Sequence, residues 1–283
     1  MSDSASTRTL RCGMRWDGSV VVVTGASRGI GEAVVRAAAR RGAKAGLIAR
    51  SEAELRSLLQ SIGNRGAIAP ADVGDRGALT EALRSLAADL GPIDILVNNA
   101  GIGAYSSVAS TDISVFEQLM SVNYFATVHA TKSVLPEMLR RGRGHIVNVA
   151  SVAGRLGAPF EAAYAASKFA VVGFTEALSV ELSRSGVGVS MVNPGPVATD
   201  FFTARGHPYS RSVPRPIPAS RVAEAVMRAV EENRLEIVVP TWLQLGVIAR
   251  HLVPAMYRWG AAKSFAAELD EPDPGEDHRS TAT

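Results

Sequence analysis

The sequence predicts an α/β fold: a doubly wound parallel sheet of about seven strands, helices on both faces, in a single domain. Three observations predict it. The β-branched run at residues 20–23 passes at once into a glycine turn, Thr24-Gly-Ala-Ser-Arg-Gly-Ile-Gly31, and then into an Ala-rich helical segment. Strand-like runs and helical stretches then alternate, the pattern of parallel strands joined by crossover helices. A later apolar run, 145–150, ends at Ser151, and the helical stretch that follows carries Tyr164 and Lys168.

The first strand, turn and helix have the order a phosphate cradle requires. Gly25 permits the tight turn, Gly29 lets backbone approach a pyrophosphate, and Gly31 lets the helix pack near the strand. The helix amino end offers free N–H groups and a positive dipole to an anion. The spacing is Gly-x-x-x-Gly-x-Gly rather than Gly-x-Gly-x-x-Gly. Residues 45–49 read as the second strand. At its end, where an NAD-binding chain carries an acid for the ribose hydroxyls, stand Ala49 and Arg50. An arginine there pairs with a 2′-phosphate, and Arg28 can assist. The expectation is NADP(H) over NAD(H); the plain alternative makes Arg50 a solvated surface charge.

Residues 51–61 read as a helix with Ser51 as N-cap. A short third strand, 67–70, leads to Asp72 and Val73. The Asp72 carboxylate can accept from an adenine amino group or cap the next helix. That helix, 75–90, stops at Gly91-Pro92. The fourth strand, 93–97, opens onto Asn98-Asn-Ala-Gly101. Residues 113–140 form a long helical stretch, with Pro136 expected to kink it. It contains Asn123, a weak helix former, read as a packed polar group or as a kink that binds water. The fifth strand is 145–150, the next helix 162–183 and the sixth strand 187–192. The sixth ends in Asn193-Pro-Gly-Pro-Val-Ala-Thr199, a turn that can sit beside a nucleotide.

Tyr164 and Lys168 lie four apart, one turn from each other on one helix face. A free phenol titrates near ~10 and is a poor base at neutral pH. A nearby cation favours the phenolate. Bringing the phenol to neutrality takes roughly 4 kcal/mol, which a lysine and a second cation can supply together. The product would be a proton donor and acceptor tuned to neutral pH. Ser151 places a hydroxyl at the carboxyl end of a parallel strand, where α/β folds hold ligands.

Composition limits the other functions. With 47% hydrophobic and 20% charged residues the chain is ordinary for a soluble globule. A net charge of +3 is too small to imply nucleic acid. Cys12 is the only cysteine and has no metal-ligand cluster around it, so no metal and no internal disulfide are expected. A lone cysteine fits a reducing cytosol, and the expected location is cytoplasmic. Residues 1–17 read as a polar extension without the apolar core of a secretory signal. No run is long enough to span a membrane.

Together these residues resemble the short-chain dehydrogenase/reductase family. The resemblance rests on Thr24-Gly-x-x-x-Gly-x-Gly31, Asp72, Asn98-Asn-Ala-Gly101, Asn123, Ser151 with Tyr164 and Lys168, and Pro194-Gly-x-Val-x-Thr199, in order over residues 18–240. It implies a Rossmann-like catalytic domain over that span. Tyr164 would be the general acid/base, Ser151 would bond the substrate oxygen, Lys168 would lower the phenol and hold the nicotinamide ribose, and Asn123 would hold a relay water. Cofactor contacts are implied at Gly25, Ser27, Arg28, Gly29, Ile30, Gly31, Arg50, Asp72, Val73, Asn99, Ala100, Gly101, Tyr164, Lys168, Pro194, Gly195, Val197 and Thr199. The resemblance also implies a homodimer or homotetramer through the helices of Asn123 and Tyr164. A nucleotide-binding scaffold or redox sensor would need the glycine turn but not the other four residues.

Beyond these motifs, 200–220 is proline-bearing and reads as a loop, where the family places a lid. A helix over 222–232 and a last strand over 235–239 follow. Residues 241–268 form an apolar helical segment, with Trp242, Leu245, Ala249, Leu252, Met256 and Trp259 in one stripe and Arg250, His251, Arg258 and Lys263 off it. It packs on the core or a subunit interface, or else rims an apolar pocket or lies on a membrane surface; Pro254 should kink it. From this stripe a lipophilic carbonyl or alcohol substrate is expected, such as a steroid, a retinoid-like compound or a long-chain keto compound. The acidic stretch 269–283 is expected to be a disordered tail.

Overall fold

A computed structural model of the chain describes residues 14–269. Cys12, the tail from 270 onward and most of the expected N-terminal extension lie outside the described residues.

Seven strands form one sheet: β1 (Val20–Thr24), β2 (Lys44–Ala49), β3 (Gly66–Pro70), β4 (Ile95–Asn98), β5 (Gly144–Val149), β6 (Val187–Pro194) and β7 (Glu236–Val239). Their order is β3-β2-β1-β4-β5-β6-β7, and every pair is parallel. The strands read as continuous apolar runs because both sheet faces are covered. Val21 and Val23 enter one core, with α1 (Gly29–Arg40), α2 (Glu52–Ser61) and α8 (Ala219–Glu231). Val20 and Val22 enter the other, with α3 (Arg76–Leu90), α5 (Ala126–Arg141) and the far end of α6 (Ala162–Glu181). The chain reverses its winding between β1 and β4, so a crevice opens at their carboxyl ends.

The helix starts follow local chemistry. Ser51 accepts from the Glu54 N–H at 3.4 Å, and Asp75 from the Ala78 N–H at 3.0 Å. The helix cap is therefore Asp75, not Asp72. Asp72 instead accepts from the Gly74 N–H at 2.8 Å in its own turn.

Three expectations need correction. The stretch 113–140 is broken at Asn123, not at Pro136. α4 (Ile113–Leu119) passes through a widened π turn, Met120–Phe125, into α5, and Pro136 sits within α5. The 200–220 segment holds a short helix, α7 (Phe201–Ala204), and is tied back by a bridge between Val197 and Ile217. The C-terminal stripe is split rather than kinked. A short turn at Thr241–Leu243 leads into α9 (Gln244–Leu252), then α10 (Pro254–Ser264) and α11 (Ala266–Leu269). Pro254 lacks the N–H that would continue α9, but it suits the first position of α10.

At the amino ends of the strands, opposite the crevice, buried Asp94 joins three elements. Its carboxylate accepts from the Val20 N–H at 3.1 Å and pairs with Arg141 at 2.8 Å. Asp94→Ala leaves the largely buried Arg141 guanidinium with only the Ile93 carbonyl at 2.6 Å and a longer pairing to Glu137 at 3.6 Å, and should cost about 3 kcal/mol. Chemical denaturation checks this: the midpoint falls, and KM at a temperature where both proteins fold stays unchanged.

Candidate active site

The carboxyl ends of β1 and β4 are fastened before any ligand is considered. The Thr24 hydroxyl accepts from the Asn99 and Ala100 N–H groups at 3.0 and 3.1 Å. The Asn99 amide donates to the Thr24 and Gly25 carbonyls at 3.0 and 3.1 Å. Asn99 therefore spends its side-chain nitrogen on the glycine turn itself. Gly25 and Gly29 take positive φ, 64° and 60°, which side-chain-bearing residues rarely adopt. A Cβ on Gly31 would stand 2.1 Å from the Gly25 carbonyl oxygen. The first turn of α1 carries no side-chain cap, so its N–H groups remain for an anion.

This turn forms one end of a cavity of about 1260 Å³. Of the catalytic and cofactor-binding residues expected from the sequence, all but Gly31 and Asn123 line it. Gly31 lies behind the turn, where its missing side chain allows helix and turn to meet. Asn123 is buried behind the wall. Its Oδ1 accepts from the Ile102 N–H at 2.8 Å; its Nδ2 donates to the Ile102 carbonyl at 3.0 Å and to Ser167 Oγ at 2.9 Å. Ser167 Oγ in turn donates to the Tyr164 carbonyl at 2.7 Å. The π turn thus fixes the 99–102 loop to α6. Arg28 and Arg50 are exposed at the cavity edge, and among the described residues neither has an ion-pair partner. Glu32 and Glu54 share that edge, and Glu32 is paired with Arg36 at 2.9 Å.

At the other end stand Ser151, Tyr164 and Lys168. Ser151 is buried at the end of β5, where its Oγ accepts from the Ala153 N–H at 3.1 Å. Lys168 is buried too. Its Nζ donates to the Val149 carbonyl at 3.0 Å and lies 5.9 Å from the Tyr164 ring centre. Burial brings Lys168 down to about 8. Tyr164 departs from the expectation of a lowered phenol. Burial holds its hydroxyl well above the ordinary tyrosine range, a hydrogen bond with Ser151 works against that, the Glu161 carboxylate adds to it, and Arg205 opposes it. Desolvation outweighs the one cation that lowers the phenol, which is Arg205 rather than Lys168.

Glu161 and Arg205 carried no sequence signal, because 44 residues separate them. Arg205 comes from the turn after α7 and pairs with Glu161 at the start of α6; both side chains are largely shielded. Its guanidinium lies 4.7 Å from the ring centres of Tyr105 and Phe202. Its Nε donates to the His207 carbonyl at 3.2 Å. The pair latches the 200–218 segment over the cavity beside Tyr164. Leu156, Phe201, Phe202, Leu243, Tyr257 and Phe265 complete a largely apolar wall.

A glycine-built anion cradle at a topological switch point, with a proton-bearing phenol at its far end, defines a dinucleotide-dependent oxidoreductase. The comparisons with known proteins agree. A family model described as short chain dehydrogenase matches residues 19–209. The chain belongs to this family, and it acts as an oxidoreductase at a CH–OH or carbonyl carbon. It is 34% identical to a dehydrogenase/reductase SDR family member 7B of Xenopus laevis, over 88% of this chain and 82% of that one. It is 31% identical to the ketoacyl reductase HetN of a Nostoc species, over 88% and 91%. Among solved structures, a single-residue variant of actinorhodin polyketide ketoreductase with NADPH superposes with a TM-score of 0.74 at 31% identity, over 80% of this chain and 97% of that one. A short chain dehydrogenase/reductase from Burkholderia phymatum with NAD gives 0.78 at 28%, over 84% and 94%.

Two predictions follow from the charges. Lys168 titrates at about 8 when folded against 10.5 when free, so the unfolded chain binds the extra proton between those values. Wild-type stability should therefore rise with pH across that window, by about 3 kcal/mol at most. Lys168→Met should abolish the rise, read by urea unfolding at several pH values. The second concerns the latch. Arg205→Met removes a cation that lowers the phenol and should move the onset of alcohol oxidation to higher pH, by up to about one pH unit. Glu161→Gln should move it the other way. Equal shifts in both variants would contradict this account.

Proposed function

We propose that the protein is an NADP(H)-dependent reductase of ketones or aldehydes, reversible as an alcohol dehydrogenase, with a lipophilic substrate. One observation carries the reading: Ser151 and Tyr164 converge beside the apolar wall, in the same cavity whose opposite end is the glycine cradle. Tyr164 is the proton carrier. Its raised pKa keeps it protonated at neutral pH, which suits it to give a proton to a carbonyl oxygen. Ser151 hydrogen-bonds the same oxygen. Lys168 reaches both the end of β5 and the tyrosine, and it holds the ribose. Asn123 is a positioning residue that fixes the 99–102 loop to α6. Pro194, Gly195, Val197 and Thr199 flank the nicotinamide and pyrophosphate. The bound dinucleotide supplies or takes the hydride.

The phosphate preference rests on Arg28 and Arg50, two exposed cations at the cradle edge. One similar structure holds NADPH and another NAD, so the relatives do not decide it. The lipophilic reading is supported by the apolar wall and by relatives named for ketoacyl and polyketide ketone reduction. We also propose a homo-oligomer through the helices flanking Asn123 and Tyr164, which expose Ile113, Phe125 and Val180. A cytosolic location agrees with the lone cysteine. Among the described residues no helix is long and apolar enough to cross a membrane.

Tyr164→Phe should lower kcat/KM for ketone reduction by about a thousandfold while NADPH affinity is retained. Unchanged physiological activity with intact nucleotide binding would instead identify a scaffold. Arg50→Asp should weaken NADPH by about tenfold to a hundredfold and NADH far less, measured by fluorescence titration. Equal weakening of both would remove Arg50 from phosphate recognition.

A further inference from the structure

Helices α9 and α10 pack against each other and carry the densest group of exposed apolar side chains among the described residues. Leu245, Ile248 and Leu252 recur at three and four along α9, following Trp242. Met256 and Trp259 form the matching stripe on α10, continued by Lys263. Leu252 is 75% exposed and Trp259 67%. The opposite faces are spoken for. Leu243 fills the space above Gly195, Tyr257 and Phe265 line the cavity, and Arg250 donates to the Arg155 carbonyl. The outward stripes are therefore not a misplaced core. Inner contacts fix the helices so that these side chains face solvent.

The charges on α9 and α10 themselves have one sign, the first acid after them being Glu268 on α11. No acidic residue occurs between 241 and 264, while Arg258 and Lys263 are exposed and Lys263 stands 5.4 Å from the Trp259 ring. An apolar strip with tryptophans in it and cations beside it is complementary to the headgroup boundary of an anionic bilayer. A second copy of this chain is a poorer match. A two-fold contact would set Arg258 and Lys263 of each copy against the same patch, with no acid on these helices to answer them. At 9 and 11 residues, neither helix can span a bilayer.

We propose that α9 and α10 seat this protein on an anionic phospholipid surface, with Trp242, Leu245, Ile248, Leu252, Met256 and Trp259 in the headgroup–acyl boundary. Because Tyr257 and Phe265 on the same segment wall the cavity, the substrate enters from the lipid side. This second half rests on the lipophilic reading above; the first half does not.

Co-sedimentation of the full chain with vesicles, without substrate or nucleotide, tests the first half. Vesicles of phosphatidylcholine mixed with phosphatidylglycerol should bind at least about tenfold more strongly than phosphatidylcholine alone, and salt should reverse the difference. Leu252→Ser with Trp259→Ser, and separately Arg258→Glu with Lys263→Glu, should each lower binding about tenfold or more with unchanged unfolding temperature. Wild-type protein left in the supernatant with both lipids would overturn the proposal. So would binding that neither variant alters, or gel filtration showing that the Trp259 variant merely dissociates an oligomer. For the second half, the apolar variant should raise KM for a vesicle-dissolved ketone and leave KM for a water-soluble one unchanged; equal changes in both would refute entry from the lipid. A failed lipophilic reading would appear as no activity on any vesicle-dissolved ketone while sedimentation still occurred.

Discussion

The ammonium of Lys168, buried against the end of β5, is the constraint around which the site is built. Such a group loses most of its hydration, and burial takes it down to about 8, still above neutrality, so it remains largely charged there. It is held in that position by one carbonyl, Val149, which a parallel strand leaves free at its carboxyl end. Everything near it is arranged to keep this geometry. α6 supplies Lys168, Tyr164 and Ser167 from one face; Ser167 meets Asn123; Asn123 grips Ile102 beside the glycine cradle. One chain of hydrogen bonds thereby joins the loop after β4, the π turn and the first turn of α6.

Electrostatics at this site run against the simple picture of a cation making a phenol acidic. Lys168 is present, yet burial dominates Tyr164 and keeps its proton on. The local balance is then trimmed by the Glu161–Arg205 pair, whose two charges push the phenol in opposite directions. The same pair closes the 200–218 segment over the apolar end of the cavity. The placement of this segment and the proton affinity of the phenol are consequently linked through one buried ion pair. Such a pair is weak evidence for stability, and its placement beside Tyr164 lets it set the proton affinity of the phenol.

Much of this was legible in the chain because the signals were local. Continuous Val and Ile runs mark strands covered on both faces, and the glycine turn marks the cradle; the Tyr-x-x-x-Lys spacing marks one helix face. What was not legible depended on distant partners or on hydrogen-bond register. Glu161 and Arg205 meet only after folding. Asn123 reads equally as a packed polar group or a kink, and only the hydrogen-bond register makes it a π turn, whereas Pro136 advertises a break that α5 absorbs. Asp72 and Asp75 look alike as helix caps until the turn geometry chooses between them. The direction of the Tyr164 shift depends on burial, which spacing does not report.

The most direct test is a crystal structure with NADPH and an unreactive analogue of the substrate ketone. The account predicts the carbonyl oxygen within about 2.6–3.2 Å of both Tyr164 Oη and Ser151 Oγ, with the nicotinamide over the carbonyl carbon. An analogue bound with its oxygen turned away from both hydroxyls, and the nicotinamide seated elsewhere than beside Lys168, would contradict it.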